Sequence, residues 1–247
     1  MDVIDDLAAE QNAIDRMVAE LDDAGWNAQS GAKGWTIADV LLHLAQSEEA
    51  VLLSTQGTSL ADALPAALVG ATSMDDMMDR WVASKRAPGP EVLDRWRRAS
   101  TAAVAALRAA DPGIRMPWAA APLKPAALAT TRLAEHWAHA LDIAEGLGVP
   151  YPDTDRLRHI AWLAHRTLPY AFTVAGQEPH DVYCELTAPD GTTVWSFGSP
   201  ESEARIEGSA GVFCRVGAQR LAPDSSELTA NGPHAELALR VLRNYAA

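Results

Sequence analysis

Glu135 and His139 stand four residues apart in RLAEHWAHALDIAEGLG, residues 132–148. On a helix that spacing stacks a carboxylate and an imidazole one turn apart on the same face, where together they can ligate a divalent metal. Two ligands do not hold a metal firmly. His43, more than ninety residues upstream, is the best third candidate. Taken alone, His43 reads more readily as a core-edge histidine with an ordinary hydrogen bond, and Glu–His pairs at this spacing occur on many solvated helix faces. Whether the three meet is the question on which the function depends. His136 is turned about 100° from Glu135 and is expected to be structural or exposed, not a ligand.

No other catalytic signature competes. The chain has no GxSxG, no Gly-rich phosphate loop, no HExxH and no CxxC pair. His159 and His165 are six apart, hence on different sides of a helix, and His180 and His234 are isolated. Cys184 and Cys214 make no disulfide framework.

Composition narrows the partners. The 247 residues are 48% hydrophobic, enough for one large domain or two ordinary ones. Twenty basic against 33 acidic residues give a net charge of −13, which argues against nucleic acid and against an anionic membrane surface. No apolar run reaches the roughly 18 residues of a membrane span, and the acidic N-terminus is unlike a secretory signal. A cytoplasmic protein with reduced thiols is expected.

Several elements must position the three residues. Residues 2–24 have the apolar spacing of a first helix, closed by Gly25. Thr36 is a good N-cap for a helix carrying Ile37, Val40, Leu41 and Leu44, and Asp39 makes a near capping box with it. His43 lies at the edge of that stripe. Residues 55–72 form a long connection that can cross the length of a bundle. A third helical region starts at Ser73, breaks at 87–90, where two prolines cannot share one helix, and resumes from Glu91 to about Ala110. Met74, Met77 and Met78 either line an adaptable pocket or fill the core. GIRMPWAAAPLKP must be irregular, and its Met116 and Trp118 are candidate pocket walls. The helix that follows runs from about Pro125 to Leu147, with Leu128, Thr131, Glu135, His139 and Asp142 close together on its wheel.

VPYPDTD, residues 149–155, reads as the linker between domains 1–150 and 151–247. Beyond it a helix is expected over 154–171. Then the period changes to two, with a hairpin turning at Pro189-Asp190-Gly191, a third strand in EARIEGS, a short helix, a short strand in LTANG and a closing helix. The second domain is therefore α+β.

GWTIADVLLHLAQSEE, followed much later by RLAEHWAHALDIAEGLG, resembles the DinB-type metal-binding bundle, in particular the actinobacterial branch that includes mycothiol-dependent maleylpyruvate isomerase. RHIAWLAHRTLPYAF, VYCELTAPDGTTVWSFG and EARIEGSAGVFCRVGAQR resemble the C-terminal half of two-domain metal-binding proteins of that branch. The resemblance implies an up-down-down-up four-helix bundle and a smaller sterol-carrier-like α+β domain. It also implies His43, Glu135 and His139 as metal ligands, a set that suits zinc, or nickel, iron or manganese, and leaves positions open for water or substrate. Arg215 and Arg220 are either candidate clamps for a substrate carboxylate or surface arginines. No set of substrate or mycothiol contacts is matched.

Two functions follow. The first is a metal-dependent enzyme, monomeric or homodimeric, acting on a small electrophilic or carboxylate-bearing metabolite. It would use a metal-activated thiol, as a mycothiol-type isomerase or thiol transferase, or metal-activated water in specialised metabolism. The second is a non-catalytic, metal-stabilised protein that binds an apolar, lipid-like small molecule.

Overall fold

The computed structural model describes residues 2–59, 70–118 and 121–244. The chain divides into two compact units, the first ending at Tyr151 and the second starting at Pro152.

In the first unit, α1 (Val3–Val18) is capped by Asp2, whose carboxylate accepts from the Ile4 and Asp5 amides. The helix expected over 2–24 stops earlier. Asp22 accepts from the Gly25 amide and opens a one-turn helix, α2 (Asp23–Trp26). An aspartate that caps a new N-terminus there wins over continuation of the first helix. Both halves of the Thr36–Asp39 capping box form at the start of α3 (Ile37–Thr55). Arg86 then grips the same Asp39 carboxylate at 2.8 and 3.1 Å. The middle of the expected 55–72 connection lies outside the described residues.

Ser73 caps α4 (Met74–Ala83), on which Met77 and Met78 are only half-buried. Pro88 and Pro90 fall at the N-cap and first turn of α5 (Gly89–Ala109), where a missing N–H costs no helical hydrogen bond. Gly89 is required there, since a Cβ would meet the Trp26 ring at 2.1 Å. The last helix of the unit, α6 (Pro125–Leu147), starts on a proline and ends on Gly148 at φ 66°, a left-handed cap natural to glycine.

The four long helices close a ring. α3 packs on α5, α5 on α1, α1 on α6, and α6 on α3. Ile14, Val18, Ile37, Leu41, Leu44, Trp96 and Ile143 fill the space between them. Each buried aliphatic side chain of this kind contributes about 1.5–3 kcal/mol. Ion pairs from Arg95 to Glu49 and from Arg97 to Asp15 tie α5 to α3 and α1.

The second unit starts with α7 (Leu157–Val174) and continues as strands β1 (Val182–Thr187), β2 (Val194–Phe197) and β3 (Ala204–Ser209). Next come α8 (Ala210–Gly217), β4 (Thr229–Asn231) and α9 (Ala235–Val241). The sheet order is β2-β1-β3-β4, with β1 and β3 parallel and both outer pairs antiparallel. The β1–β2 turn is held by Asp190, which accepts from the Thr192 and Thr193 amides; these bonds and the Thr193 hydroxyl hold its carboxyl down at about 2. His165 donates to the Val182 carbonyl at 2.8 Å. His180 and His234, isolated in sequence, stack face to face with ring centroids 3.6 Å apart. Cys184 and Cys214 are buried free thiols, and burial pushes the Cys184 thiol up to about 12, so neither is a ready nucleophile.

Candidate metal centre

α3 and α6 bring His43, Glu135 and His139 together, with their ligand atoms all within 4.8 Å of one another. His43 Nε2 lies 3.6 Å and His139 Nε2 3.7 Å from the same Glu135 oxygen. Both distances are long for hydrogen bonds. They are near the roughly 3.4 Å that separates two ligands each about 2.1 Å from a tetrahedral ion.

The electrostatics prepare the donors. Burial pushes His43 down to about 4, outweighing its attraction to Glu135, so the ring is neutral with a lone pair to give. Burial acts to raise the Glu135 carboxyl. The contact with His43 and the positive charge of Arg132 outweigh it and hold the carboxyl well below the usual carboxylate range. An ionised carboxylate beside the neutral His43 ring is a pairing that metal binding requires.

Asp142, 1% exposed, accepts from His139 Nδ1 at 2.9 Å. That bond orients the ring and turns Nε2 toward Glu135. Trp35 covers the two imidazoles, its ring 5.2 Å from His43 and 6.1 Å from His139, nearly parallel to the latter. Its indole N–H is held by Asp79 of α4 at 2.7 Å. The segment carrying Trp35 folds back on itself through Ser30–Trp35 and Ile37–Ala28 backbone bonds. It docks on α6 where the Gly31 amide donates to the Asp142 carbonyl at 2.9 Å. A Cβ on Gly146 would meet the Gln29 carbonyl at 2.5 Å, so glycine permits that approach.

His136 is structural and fully buried. It donates from Nδ1 to the Arg132 carbonyl at 2.8 Å and accepts at Nε2 from Trp96 at 3.4 Å. Burial, helped by the Arg132 charge, pushes it down to about 3.

Met116 is buried and pairs its backbone with Leu123, while Trp118 is half-buried. Pro117 between them accepts from Ser54, eleven residues and about 16 Å along α3 from His43. Arg215 is held bidentately by Asp153 at 2.9 and 2.8 Å, and Arg220 donates to the Ala218 carbonyl. Sequence reasoning assigned no role to Asp142, Trp35 or the buried Arg132. For Asp142 a signal existed, since it lies three residues after His139 on the ligand face.

Residues 7–144 match the sequence model of the mycothiol maleylpyruvate isomerase N-terminal domain. The chain belongs to that family. Uncharacterized proteins from two strains of Mycobacterium tuberculosis are each 36% identical to it over 245 residues, 98% of this chain and 94% of theirs. Crystal structures of mycothiol-dependent maleylpyruvate isomerase and of a histidine-to-alanine mutant of it match with TM-scores of 0.60 and 0.61. They cover 94% of this chain and 95% of theirs at 15% identity, so the likeness is one of fold. In this member of the mycothiol maleylpyruvate isomerase family the donor set fits a divalent ion. Two imidazole nitrogens and a carboxylate converge at ligand spacing without hydrogen-bonding one another, and Asp142 aims one of them. No helix of the described residues is long and apolar enough to cross a membrane.

Proposed function

We propose that the chain is a divalent-metal-dependent enzyme that uses a thiol co-substrate of the mycothiol type on a small unsaturated or carboxylate-bearing metabolite. The observation that carries this reading is the convergence of the His43, Glu135 and His139 ligand atoms within 4.8 Å of one another. A metal held there, zinc by the chemistry of the donors, would act as a Lewis acid and lower the pKa of a thiol or water bound to it. The chain's own residues do the rest. His43 and His139 give nitrogen donors from two helices. Glu135 supplies the compensating charge, and Asp142 holds the Nδ1 proton of His139. Trp35 keeps water from one side of the centre.

Isomerisation by this route consumes no thiol. The thiol adds across the carbon–carbon double bond, the resulting single bond rotates, and elimination returns the thiol with the other geometry. Maleylpyruvate, on which the structural relatives act, is the first substrate to assay. A thiol transferase would share the addition and omit the return. Within this reading the first unit is an up-down-down-up bundle, the second a sterol-carrier-like domain, and the protein is cytoplasmic.

The test loads the protein with zinc or cobalt, adds mycothiol, and reads metal–sulfur coordination together with turnover of maleylpyruvate. His43→Ala is expected to lose metal and turnover while the bundle stays folded. No sulfur coordination and no turnover of thiol-requiring electrophiles would sink the thiol route. Unfolding of His43→Ala would make the metal structural.

A further inference from the structure

One turn from the triad, the same two helices carry a second polar contact. Glu48 follows His43 on α3 by five residues, and Arg132 precedes Glu135 on α6 by three. Arg132 Nε donates to Glu48 Oε1 at 2.8 Å, with the two residues 3% and 0% exposed. The same Glu48 oxygen stands 3.7 Å from His136 Nδ1, and Trp96 of α5 reaches the other nitrogen of that ring. Three helices therefore meet at one buried polar cluster.

Stability does not explain the cluster. Moving a carboxylate and a guanidinium out of water costs more than a single 2.8 Å contact returns, and apolar residues of similar volume are often as stable or more so. The cost is heightened because Arg132 Nη2 and Glu48 Oε2 have no hydrogen-bond partner among the described residues. What the pair supplies is uniqueness. Aliphatic side chains such as Leu41, Leu44, Leu128 and Leu133 pack acceptably at neighbouring offsets, whereas one guanidinium and one carboxylate meet at a single offset.

We propose that Arg132 and Glu48 are positioning residues that lock the slide and rotation of α3 against α6, and so deliver His43 to Glu135 and His139. This rests on the reading of those three residues as a metal site. A slip of α3 by one residue moves its side chains by about 1.5 Å and 100°. Ligand distances tolerate only about 0.2 Å. Aliphatic contacts alone select weakly between one offset and the next, whereas the polar pair favours one.

The test compares wild type with the double variant Glu48→Leu/Arg132→Met and with Arg132→Lys. Three readouts are taken: the melting temperature of chelator-treated protein, zinc affinity by chelator competition, and the absorption bands of the cobalt-loaded form. The double variant is expected to melt at or above wild type when metal-free. It should bind zinc about 10–100-fold more weakly, with shifted cobalt bands. Arg132→Lys, which keeps the charge pair, is expected to recover wild-type cobalt bands and most of the affinity. A folded double variant with wild-type affinity and bands would overturn the proposal. Should the double variant not fold, Glu48→Met/Arg132→Leu, a second apolar pair, takes its place, and wild-type affinity and bands in that variant overturn the proposal equally. Wild-type protein that takes up neither zinc nor cobalt would remove the metal reading itself, and this inference with it.

Discussion

Asp142 accepts the Nδ1 proton of His139 at 2.9 Å and thereby turns the lone pair of Nε2 toward Glu135. The contact joins residues three apart on one helix, so it forms as soon as α6 forms. It prepares one ligand before α3 arrives. Asp142→Asn keeps the size and removes the charge that orients the ring. It is expected to weaken zinc binding by about 10-fold or more with little change in the fold. Chelator competition on purified protein measures this, and unchanged affinity would show that the ring needs no orienting partner.

Glu135→Gln separates charge from shape at the ligand itself. The amide leaves the packing of α6 intact but offers a neutral oxygen in place of an ionised one. Metal content after loading and desalting is expected to fall to background, while the circular dichroism of the variant matches wild type. Retention of stoichiometric metal would rule out Glu135 as a ligand.

Stability should depend on pH through two buried imidazoles. Burial holds His43 at about 4 and His136 at about 3, against 6.5 for an ordinary histidine. Below pH 6.5 the unfolded chain binds protons that the folded chain refuses, so unfolding takes up protons and stability drops as pH falls. The slope approaches about 1.4 kcal/mol per pH unit for each ring near pH 5 and fades for His43 as pH falls through about 4. Urea unfolding of metal-free protein at pH 7, 6 and 5 reads it. Burial pushes the Glu48 carboxyl up, which offsets part of this slope, and Glu48→Gln removes that contribution; a flat profile in that variant would mean that both rings titrate normally in the folded state.

The glycines under the Trp35 segment give a fourth prediction. Gly146→Ala places a methyl 2.5 Å from the Gln29 carbonyl, and the segment must shift to make room. A loss of about 1–3 kcal/mol is expected, as for other overpacked sites. Trp35 should move with the segment, so the fluorescence change on adding metal is expected to shrink. A variant with wild-type stability and the wild-type response would show that the segment is not seated as described.

Much of the scaffold was legible because its signals are local. Thr36 and Asp39 start α3, Pro125 and Gly148 bound α6, and Pro189-Asp190-Gly191 turns the hairpin. Each needs only its sequence neighbours. The Glu135–His139 pair was legible for the same reason. The rest depends on partners far apart in sequence. Nothing in the sequence neighbours of Glu48 and Arg132 marks them as partners before their helices pack, and His180 and His234 read as isolated until the second unit folds. Trp35 shows no distinction from seven other tryptophans before its segment docks on α6. The premature end of α1 was missed because Asp22 competes with continuation only once its carboxylate caps the next turn.

His43 comes from one helix and the other two ligands from another, so no single helix can hold the ion. A chain emerging during synthesis has all three donors only after residue 139 is made, and it presents them only once α3 lies on α6. On the proposed reading, metal insertion is a late event in maturation, open to protein in which α3 already lies on α6. On the same reading, metal uptake therefore reports that α3 and α6 have met, independent of any assay of what the protein does.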